Sequence, residues 1–291
     1  MNTTLQYLFQ GLAAGGFYAV SALGLAVIFG VLGVVNFSHG AMYMLGAVGA
    51  SLLSTELGLG FWAALVIIPL ALFMVGVLIE RVLVRWLLHQ DPLYNFLLTF
   101  GVALVTVDLV KITVGASGFD YGLPAGLQGK FSLGDARLPT YQLFLCIASA
   151  LVCLAVWAVL SKTRVGMIVR AATEDADRTR AFGINVRLWV TPVFGFGVAL
   201  AGLAGVMSAP FRAINADMGG NFVIILFAVV VIGGLGSIAG AVAVAGGVMI
   251  GLVEAFGQAY ASAYAQVLIF VVMAAVILVR PNGLFNREAT A

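Results

Sequence analysis

Long apolar runs, separated by short polar segments, follow one another along almost the whole chain. A helix needs about 20 apolar residues to cross the hydrocarbon core of a bilayer. The pattern therefore predicts an all-α fold, a polytopic transmembrane helix bundle of about nine spans in a single domain covering residues 1–291. The predicted spans are 5–30, 41–55, 61–80, 93–113, 141–161, 189–211, 221–236, 238–257 and 264–280.

The composition supports a membrane protein, since 63% of the 291 residues are hydrophobic and 9% are charged. Soluble domains carry roughly 25% charged residues, so this chain lacks the polar residues to cover its surface in water. Its 36 glycines fit helices that pack closely in lipid. Clustered Lys and Arg with interleaved aromatic residues do not occur, so a nucleic-acid partner is not expected.

Basic residues are distributed unevenly between the predicted loops. Ten of the 14 follow the third, fifth or ninth span, and the other four are Lys111, Lys130, Arg137 and Arg212. Because Lys and Arg accumulate on the cytoplasmic side of membrane proteins, we predict an outer N-terminus and a cytoplasmic C-terminus. Nine spans satisfy this distribution, whereas an even number would place one basic cluster on the wrong side.

The longest polar segment, Lys162–Arg187, lies between the fifth and sixth predicted spans and holds 6 of the 14 basic residues. Met167–Phe182 is free of Gly and Pro and rich in Ala, which predicts one helix. Gly183 is suited to the left-handed conformation that follows a helix end. Two interpretations stand about equally: a docking element for a soluble partner, or a solvated loop that carries the topology charge.

Small side chains give this predicted helix a distinct face. Ala171, Ala172 and Ala176 lie on or near one side, and Glu174 is placed to pair with Arg178 at i,i+4. Such a face can approach a groove on a partner closely. We therefore expect Ala172→Arg to block docking while the membrane bundle still inserts.

The second polar segment, 114–140, lies on the predicted outer side. It is rich in Gly, with a turn signal at Gly134-Asp135, and Lys130–Leu133 is predicted to form a short strand. The segment is interpreted as a surface loop or, alternatively, as a contact surface for an extracytoplasmic partner.

The chain also divides into two halves of opposite predicted topology. The first repeat covers about 5–113 and the second about 189–280, and the central span 141–161 and the cytoplasmic segment 162–188 lie between them. Each half contains a Gly-rich break, at 30–40 and at 233–240. Broken segments in matching positions of inverted repeats indicate a transport path.

The residues at these breaks are candidates for that path. Asn36, Ser38 and His39 are the polar residues of the first break, and Gly233 and Gly236 belong to the second. The three polar side chains either line or gate a pathway, or Asn36 or Ser38 caps the following helix. A Ser–His catalytic dyad is not expected, because adjacent side chains diverge on a helix or a strand.

Asp108 and Glu254 are ionisable residues inside predicted spans, where such residues are candidates for function by default. Asp108 stands three residues before Lys111, so a local interfacial pair is expected. Glu254 lies near the outer end of the eighth span and faces either the bundle or the interface; it is retained as a pathway candidate.

Several chemistries are not expected from the sequence. A group of three metal ligands at usable spacing is missing, so no metal site is expected. The phosphate-binding pattern GxxxxGK[ST] is missing too, so the chain needs no cofactor of its own, and any ATP would bind to partner subunits. Cys146 and Cys153 are seven residues apart on one predicted helix, too far for a disulfide. An enzyme is not expected.

Several motifs, spread over residues 5–286, resemble those of branched-chain amino-acid ABC permeases of the LivH type. They are Asn36–Gly46 (NFSHGAMYMLG), Gly166–Ala172 (GMIVRAA), Ala181–Asn185 (AFGIN), Ala199–Gly205 (ALAGLAG), Gly233–Ser237 (GGLGS) and Arg280–Phe285 (RPNGLF). The second and third resemble the cytoplasmic coupling segment of that family. On this resemblance the expected ATPase-coupling residues are Arg170, Ala171, Ala172, Glu174, Ala176 and Gly183.

The resemblance implies a permease subunit of an importer in the bacterial inner membrane, which translocates branched-chain amino acids or related small polar solutes. It implies a second permease subunit, identical or related, two cytoplasmic ATPase subunits and a periplasmic solute-binding protein. The alternative is an ion-coupled secondary transporter, which would use intramembrane carboxylates such as Asp108 and Glu254. A passive channel would leave the 162–187 segment without a purpose.

Overall fold

The computed structural model describes residues 2–33, 35–87, 90–115, 118, 121–133, 136–234, 240–280 and 283–284. Most of these residues are helical, which confirms the predicted helical bundle. The helices are α1 Asn2–Leu32, α2 His39–Leu57, α3 Phe61–Ile79, α4 Arg85–Leu87, α5 Pro92–Thr113, α6 Thr140–Lys162, α7 Arg164–Glu174, α8 Ala176–Ala181, α9 Val186–Ser208, α10 Met218–Gly233, α11 Gly240–Tyr260 and α12 Ala265–Val279. A π-helix at Glu80–Val84 joins α3 to α4, and a 3₁₀ turn at Ser262–Tyr264 precedes α12.

Each of the nine predicted spans overlaps a helix, although residues 235–239, where the seventh and eighth spans adjoin, lie outside the described residues. Within the described residues, seven helical segments are long and apolar enough to cross a membrane. The other two are α2, which carries Ser51, Thr55 and Glu56 towards its end, and α10, which has 16 residues. The polytopic bundle is thus confirmed, while the number of crossings, the orientation and the inverted repeats stay predictions.

Helices α1 and α9 form the centre of the bundle. Most residues of both are buried, whereas α5 and α12 expose most of their apolar side chains. A helix that is apolar and yet exposed needs lipid or another subunit to cover it. The sequence pattern alone does not make this distinction, because buried and lipid-facing positions are both apolar.

Glycines allow α1 and α11 to touch at the backbone. Gly11 and Gly15 of α1 face Gly247 and Gly251 of α11, and both pairs have the four-residue spacing of a GxxxG motif. A Cβ atom on Gly251 would lie 2.3 Å from both Gly11 O and Gly15 N, so no larger residue fits. The crossing therefore fixes the distance between these two helices. Other close glycine pairs are Gly24–Gly197, Gly40–Gly219 and Gly46–Gly202.

The predicted strand Lys130–Leu133 is confirmed as β1. It pairs antiparallel with β2, Ala136–Pro139, with Lys130 opposite Pro139. The turn signal at Gly134-Asp135 lies outside the described residues. Helix α6 begins directly after β2, and its Tyr141 donates a hydrogen bond to Met207 O at 2.6 Å. The hairpin is thereby connected through α6 to the central helix α9.

Candidate translocation site and coupling segment

Three side chains that are far apart in the sequence form one hydrogen-bonded cluster. Arg212 Nη2 donates to Glu254 Oε1 at 2.7 Å, to Glu254 Oε2 at 2.9 Å and to Tyr18 Oη at 2.8 Å. Tyr18 Oη in turn donates to Glu254 Oε2 at 2.7 Å. Tyr18 is fully buried, and the side chains of Arg212 and Glu254 are 29% and 12% exposed. The cluster is a largely buried ion pair whose carboxylate has two donors.

The glycine crossing brings two of these side chains together. Tyr18 follows Gly15 by three residues on α1, and Glu254 follows Gly251 by three residues on α11. Residues three apart lie on the same side of a helix. The glycine contacts run antiparallel, with Gly11 against Gly251 and Gly15 against Gly247, so Tyr18 and Glu254 lie on the two sides of the crossing. Their long side chains lean towards the N-terminal ends of their own helices and meet, with Tyr18 Oη 2.7 Å from Glu254 Oε2.

Arg212 reaches the cluster from the loop between α9 and α10. Phe211 N and Arg212 N both donate to Ser208 O at 2.9 Å, which turns the chain sharply after α9. The guanidinium carbon lies 5.2 Å from the ring centroid of Phe17 and 5.4 Å from that of Tyr18. Cation–π attraction at such distances supports the orientation of the guanidinium.

Two cavities, of about 220 Å³ and about 320 Å³, adjoin this cluster. Both are lined by Arg212, Ala213, Glu254 and Gln258. Ligand pockets for drug-sized molecules measure about 300–1,000 Å³, so each cavity suits a small solute. The predicted pathway residue Glu254 thus faces the bundle and borders open space, which settles the alternative left by the sequence.

The structure places Asn36, Ser38 and His39 away from these two cavities, whose linings include none of them. All three are buried. Asn36 Oδ1 accepts from Ser38 N at 3.1 Å and from Ser38 Oγ at 2.6 Å, and His39 Nε2 lies 2.9 Å from Ser21 O. These bonds arrange the turn before α2, although the N-cap residue Ser38 makes no side-chain cap bond. A pathway role for the three residues stays a prediction.

Gly233 ends α10, and Gly234 follows it with φ +117°. Leu284 N donates to Ile232 O at 3.0 Å, so the segment after α12 folds back onto this helix end. The candidate Gly236 lies outside the described residues. The break at Gly233 thus contacts the C-terminal segment and is not part of the Arg212–Glu254 cluster.

The expected pair between Asp108 and Lys111 is wrong. Lys111 Nζ forms its ion pair with Asp217 Oδ1 at 2.9 Å, while Asp108 lies on an exposed face of α5. Asp217 precedes α10, so this contact joins the end of α5 to the start of α10. Lys111 therefore pairs with a residue more than 100 positions away in the sequence and not with its i−3 neighbour Asp108.

The predicted continuous helix Met167–Phe182 is also wrong, because the segment forms two helices, α7 and α8. Asp175 adopts an extended conformation between them, and its Oδ1 accepts from Asp177 N at 3.0 Å and Arg178 N at 2.9 Å. This is an N-cap, a role for which Asp is strongly favoured. The expected Glu174–Arg178 pair is replaced by Arg178 Nε and Asp175 Oδ2 at 2.8 Å. The left-handed conformation of Gly183 is confirmed, with φ +80°.

The predicted small-residue face points towards the bundle. Ala172 is 5% exposed and packs with Val186 and Val190 of α9, and Ala176 lies against the same group. The premise that the bundle does not depend on this face is therefore contradicted. Arg170 is half-buried and donates to Leu160 O at the end of α6.

The side of the coupling segment that faces away from the bundle is exposed and carries both polar and apolar residues. Glu174 and Gly183 are exposed, and Ala171 is half-buried. Between the start of α7 and Gly183, the most exposed apolar side chains are Met167, 61% exposed, and Phe182, 85% exposed. Sequence reasoning counted these two residues as part of the helix and did not single them out.

A second ion pair lies close to the start of α9. Arg85 Nη2 donates to Glu80 Oε2 at 3.2 Å and to Thr191 Oγ1 at 2.8 Å, and Thr191 Oγ1 donates to Glu80 Oε2 at 2.6 Å. Glu80 belongs to the π-helix, a form that often occurs at functional sites. The sequence counted Arg85 only among the basic residues that follow the third predicted span.

A protein-family model described as "Branched-chain amino acid transport system / permease component" matches residues 7–277. The chain belongs to this permease family. It is 30% identical to the high-affinity branched-chain amino acid transport system permease protein BraD of Pseudomonas aeruginosa, over 97% of this chain and 96% of that protein. To the corresponding LivH protein of Escherichia coli K12 it is 31% identical, with the same two coverages.

The permease also resembles a solved structure, PsaBC from Streptococcus pneumoniae in complex with Fab. The TM-score is 0.50 at 12% sequence identity, and the alignment covers 94% of this permease and 90% of that chain. This likeness supports the fold alone.

Two residues of the permease's polar cluster were missed as functional candidates. Arg212 was counted only as an outer basic residue, and Tyr18 was not considered. The available signal was the pairing of two GxxxG motifs, each followed three residues later by a polar side chain, Tyr18 or Glu254. Arg212 had no comparable local signal, because its contacts depend on the turn after α9.

Proposed function

We propose that this permease is the membrane-spanning subunit of an ATP-driven, binding-protein-dependent importer of branched-chain amino acids in a bacterial inner membrane. The observation that carries the proposal is the family match over residues 7–277. The 31% identity to a branched-chain amino acid permease across 97% of the chain supports the substrate class.

The proposed assembly contains a second permease subunit, two cytoplasmic ATPase subunits and a periplasmic solute-binding protein. ATP binds to the ATPase subunits, because the sequence lacks a phosphate-binding loop of its own. Helices α5 and α12 expose apolar faces. A second permease subunit and lipid would cover these faces. Met167 and Phe182 give the coupling segment exposed apolar side chains for an ATPase groove.

The proposed mechanism is an exchange between two packings of the same helices. An ATPase contact at α7 and α8 acts on α9 directly, because Ala172 packs against Val186 and Val190. Thr191 directly follows Val190 on α9, and its Oγ1 donates a hydrogen bond to the buried Glu80 of the π-helix. Closure of the ATPases would bias one packing over the other through this continuous set of contacts.

The ion-coupled alternative is less well supported by the geometry. It requires intramembrane carboxylates that carry a coupling ion. Glu254 is already neutralised by Arg212, and Asp108 lies on an exposed face of α5. Uptake that depends on a proton gradient and needs no ATPase chain would favour this alternative.

Purification of the permease with its natural complex tests the proposal. Mass spectrometry should identify two ATPase subunits and a second permease with this chain. Proteoliposomes of that complex should take up leucine only when the binding protein and ATP are both supplied. Leucine uptake without ATP, or a complex that lacks an ATPase, would contradict the proposal.

A further inference from the structure

The two cavities are lined by one positive and one negative side chain, which lie next to each other. Among the described residues that line them, Arg212 is the only cation and Glu254 the only anion. The other polar lining residues are uncharged: Tyr43, Gln10, Asn215, Asn221, Gln258 and Gln266. A solute without net charge but with separated positive and negative groups matches this arrangement.

Arg212 still has donors to offer. A guanidinium carries five N–H groups, and every hydrogen bond of Arg212 to the described side chains uses Nη2 alone. The three N–H groups on Nη1 and Nε have no partner among the described residues. Since a guanidinium matches the geometry of carboxylates well, Arg212 can hold Glu254 and a second carboxylate at the same time.

Glu254 has acceptor capacity on its other side. Two ionised oxygens provide about four acceptor positions. Oε2 receives Tyr18 and Arg212, whereas Oε1 receives Arg212 and only a long contact from Gln258 Nε2 at 3.5 Å. An ammonium group, which has three donors and no acceptor, can bind at Oε1.

The smaller cavity adds an apolar wall beside these charges. Phe222 stacks on Tyr43 with ring centroids 3.5 Å apart, and Ile225 and Ile269 line the same cavity. A branched aliphatic side chain can contact this wall while its charged end stays at the ion pair. Apolar walls with a few placed polar groups are typical of small-molecule sites.

We propose that Arg212 and Glu254 bind the charged end of an α-amino acid in transit. Arg212 Nη1 and Nε bind the α-carboxylate, Glu254 Oε1 binds the α-ammonium, and the side chain lies against Phe222, Ile225 and Ile269. This inference rests on the proposed function and adds the group that the permease recognises. Recognition at this site depends on the zwitterion and only weakly on the side chain.

Photocrosslinking to the permease–ATPase complex, without the binding protein, tests the recognition directly. The probe is a leucine analogue with a diazirine in its side chain, which keeps both charged groups. We expect crosslinks within 212–225 and 254–269. Leucine, valine and alanine should compete at similar concentrations, whereas 4-methylpentanoate and isopentylamine, which each lack one charge, should compete at least about tenfold less well, because a site built for a polar group rejects analogues that lack it.

Variants separate binding from structural support. Arg212→Gln and Glu254→Gln should each lose the crosslink and leucine uptake while ATP hydrolysis by the complex continues, so that uptake per ATP falls. Tyr18→Phe should weaken the crosslink, and the matched control Tyr260→Phe, at a residue 74% exposed, should not. If a variant does not assemble, the competition series with the unaltered complex decides.

The outcomes distinguish the two proposals. Equal competition by the singly charged analogues, or crosslinks confined to other helices, overturns the zwitterion site while leaving the importer intact. A complex that takes up no leucine under any condition overturns the proposed function itself.

Discussion

Two arginine–glutamate pairs of the permease, Arg212–Glu254 and Arg85–Glu80, have the same chemistry and different surroundings. Arg85 uses Nε and Nη2 on Glu80, at 3.3 and 3.2 Å, and Thr191 donates to the same carboxylate. The Glu80 side chain is 0% exposed. Arg212 uses Nη2 alone, and both partners of that pair line two cavities that Glu80 does not touch.

The difference separates a structural pair from a binding pair. A buried charge is stable only when its partners compensate the lost hydration. Around Glu80 the protein supplies those partners, Arg85 and Thr191, and the bond from Thr191 connects α9 to the π-helix. Around Arg212 it leaves donors and space, which a solute can use.

The largest effect is expected from removing the structural pair. Glu80→Ala leaves Arg85 without its carboxylate and should lower the free energy of unfolding by about 3 kcal/mol, at the low end for buried pairs. The low end applies because the Arg85 side chain is 32% exposed. Thermal unfolding in detergent measures the change. Glu254→Ala, which borders open cavities, should cost less; an equal or larger loss would erase the distinction.

The next effect should come from Gly251→Ala at the crossing of α1 and α11. The added Cβ has no room, and overpacking of this kind costs about 1–3 kcal/mol. Because the crossing sets the contact between Tyr18 and Glu254, leucine uptake should fall more than thermal stability does. Gly101→Ala is the matched control, since a Cβ there meets nothing within 4 Å. Similar results for both variants would show that the crossing is not close-packed.

A smaller and more specific effect is expected in the coupling segment. Phe182→Ala removes an exposed side chain and should reduce ATPase association without changing the amount of permease in the membrane. Ala172→Arg places a charge against Val186 and Val190 and should reduce the accumulation of the permease itself. Co-purified ATPase per permease measures the first effect, and membrane content the second. Normal accumulation of the Ala172→Arg variant would restore the original expectation from the sequence.

The smallest effect is expected for the ion pair between Lys111 and Asp217. Their side chains are 36% and 73% exposed, and exposed pairs contribute little to stability. Lys111→Gln should therefore leave the unfolding temperature and leucine uptake unchanged within error. A clear loss of either would mean that the pair is buried by another subunit in the assembled transporter.

The sequence predicted the helices well because the membrane imposes long apolar runs. It also predicted the strand at Lys130 and the left-handed Gly183, since both depend on local conformation. It failed at Asp175, where a cap bond competed with a helix that composition favoured. At that point Asp175-Ala-Asp177 was the signal, with a capping residue directly before an acidic first turn.

The candidate site was harder to predict than the fold. Glu254 was identified because a carboxylate in an apolar run is unusual. Its partners Arg212 and Tyr18 stand 42 and 236 positions away in the sequence, so only the folded chain brings them together. The inward orientation of Ala172 was likewise invisible, because an alanine suits a protein interior and a docking face equally.

The backbone contact between α1 and α11 has a mechanical consequence. Helices that touch at four glycines cannot slide past each other without a clash, so we expect α1 and α11 to move together as one unit. Domain motions of this kind leave tight contacts intact and separate the loosely packed elements. Helix α5 packs mainly against α2 and the π-helix and is joined to α10 by the exposed Lys111–Asp217 pair, so we expect it to move relative to that unit.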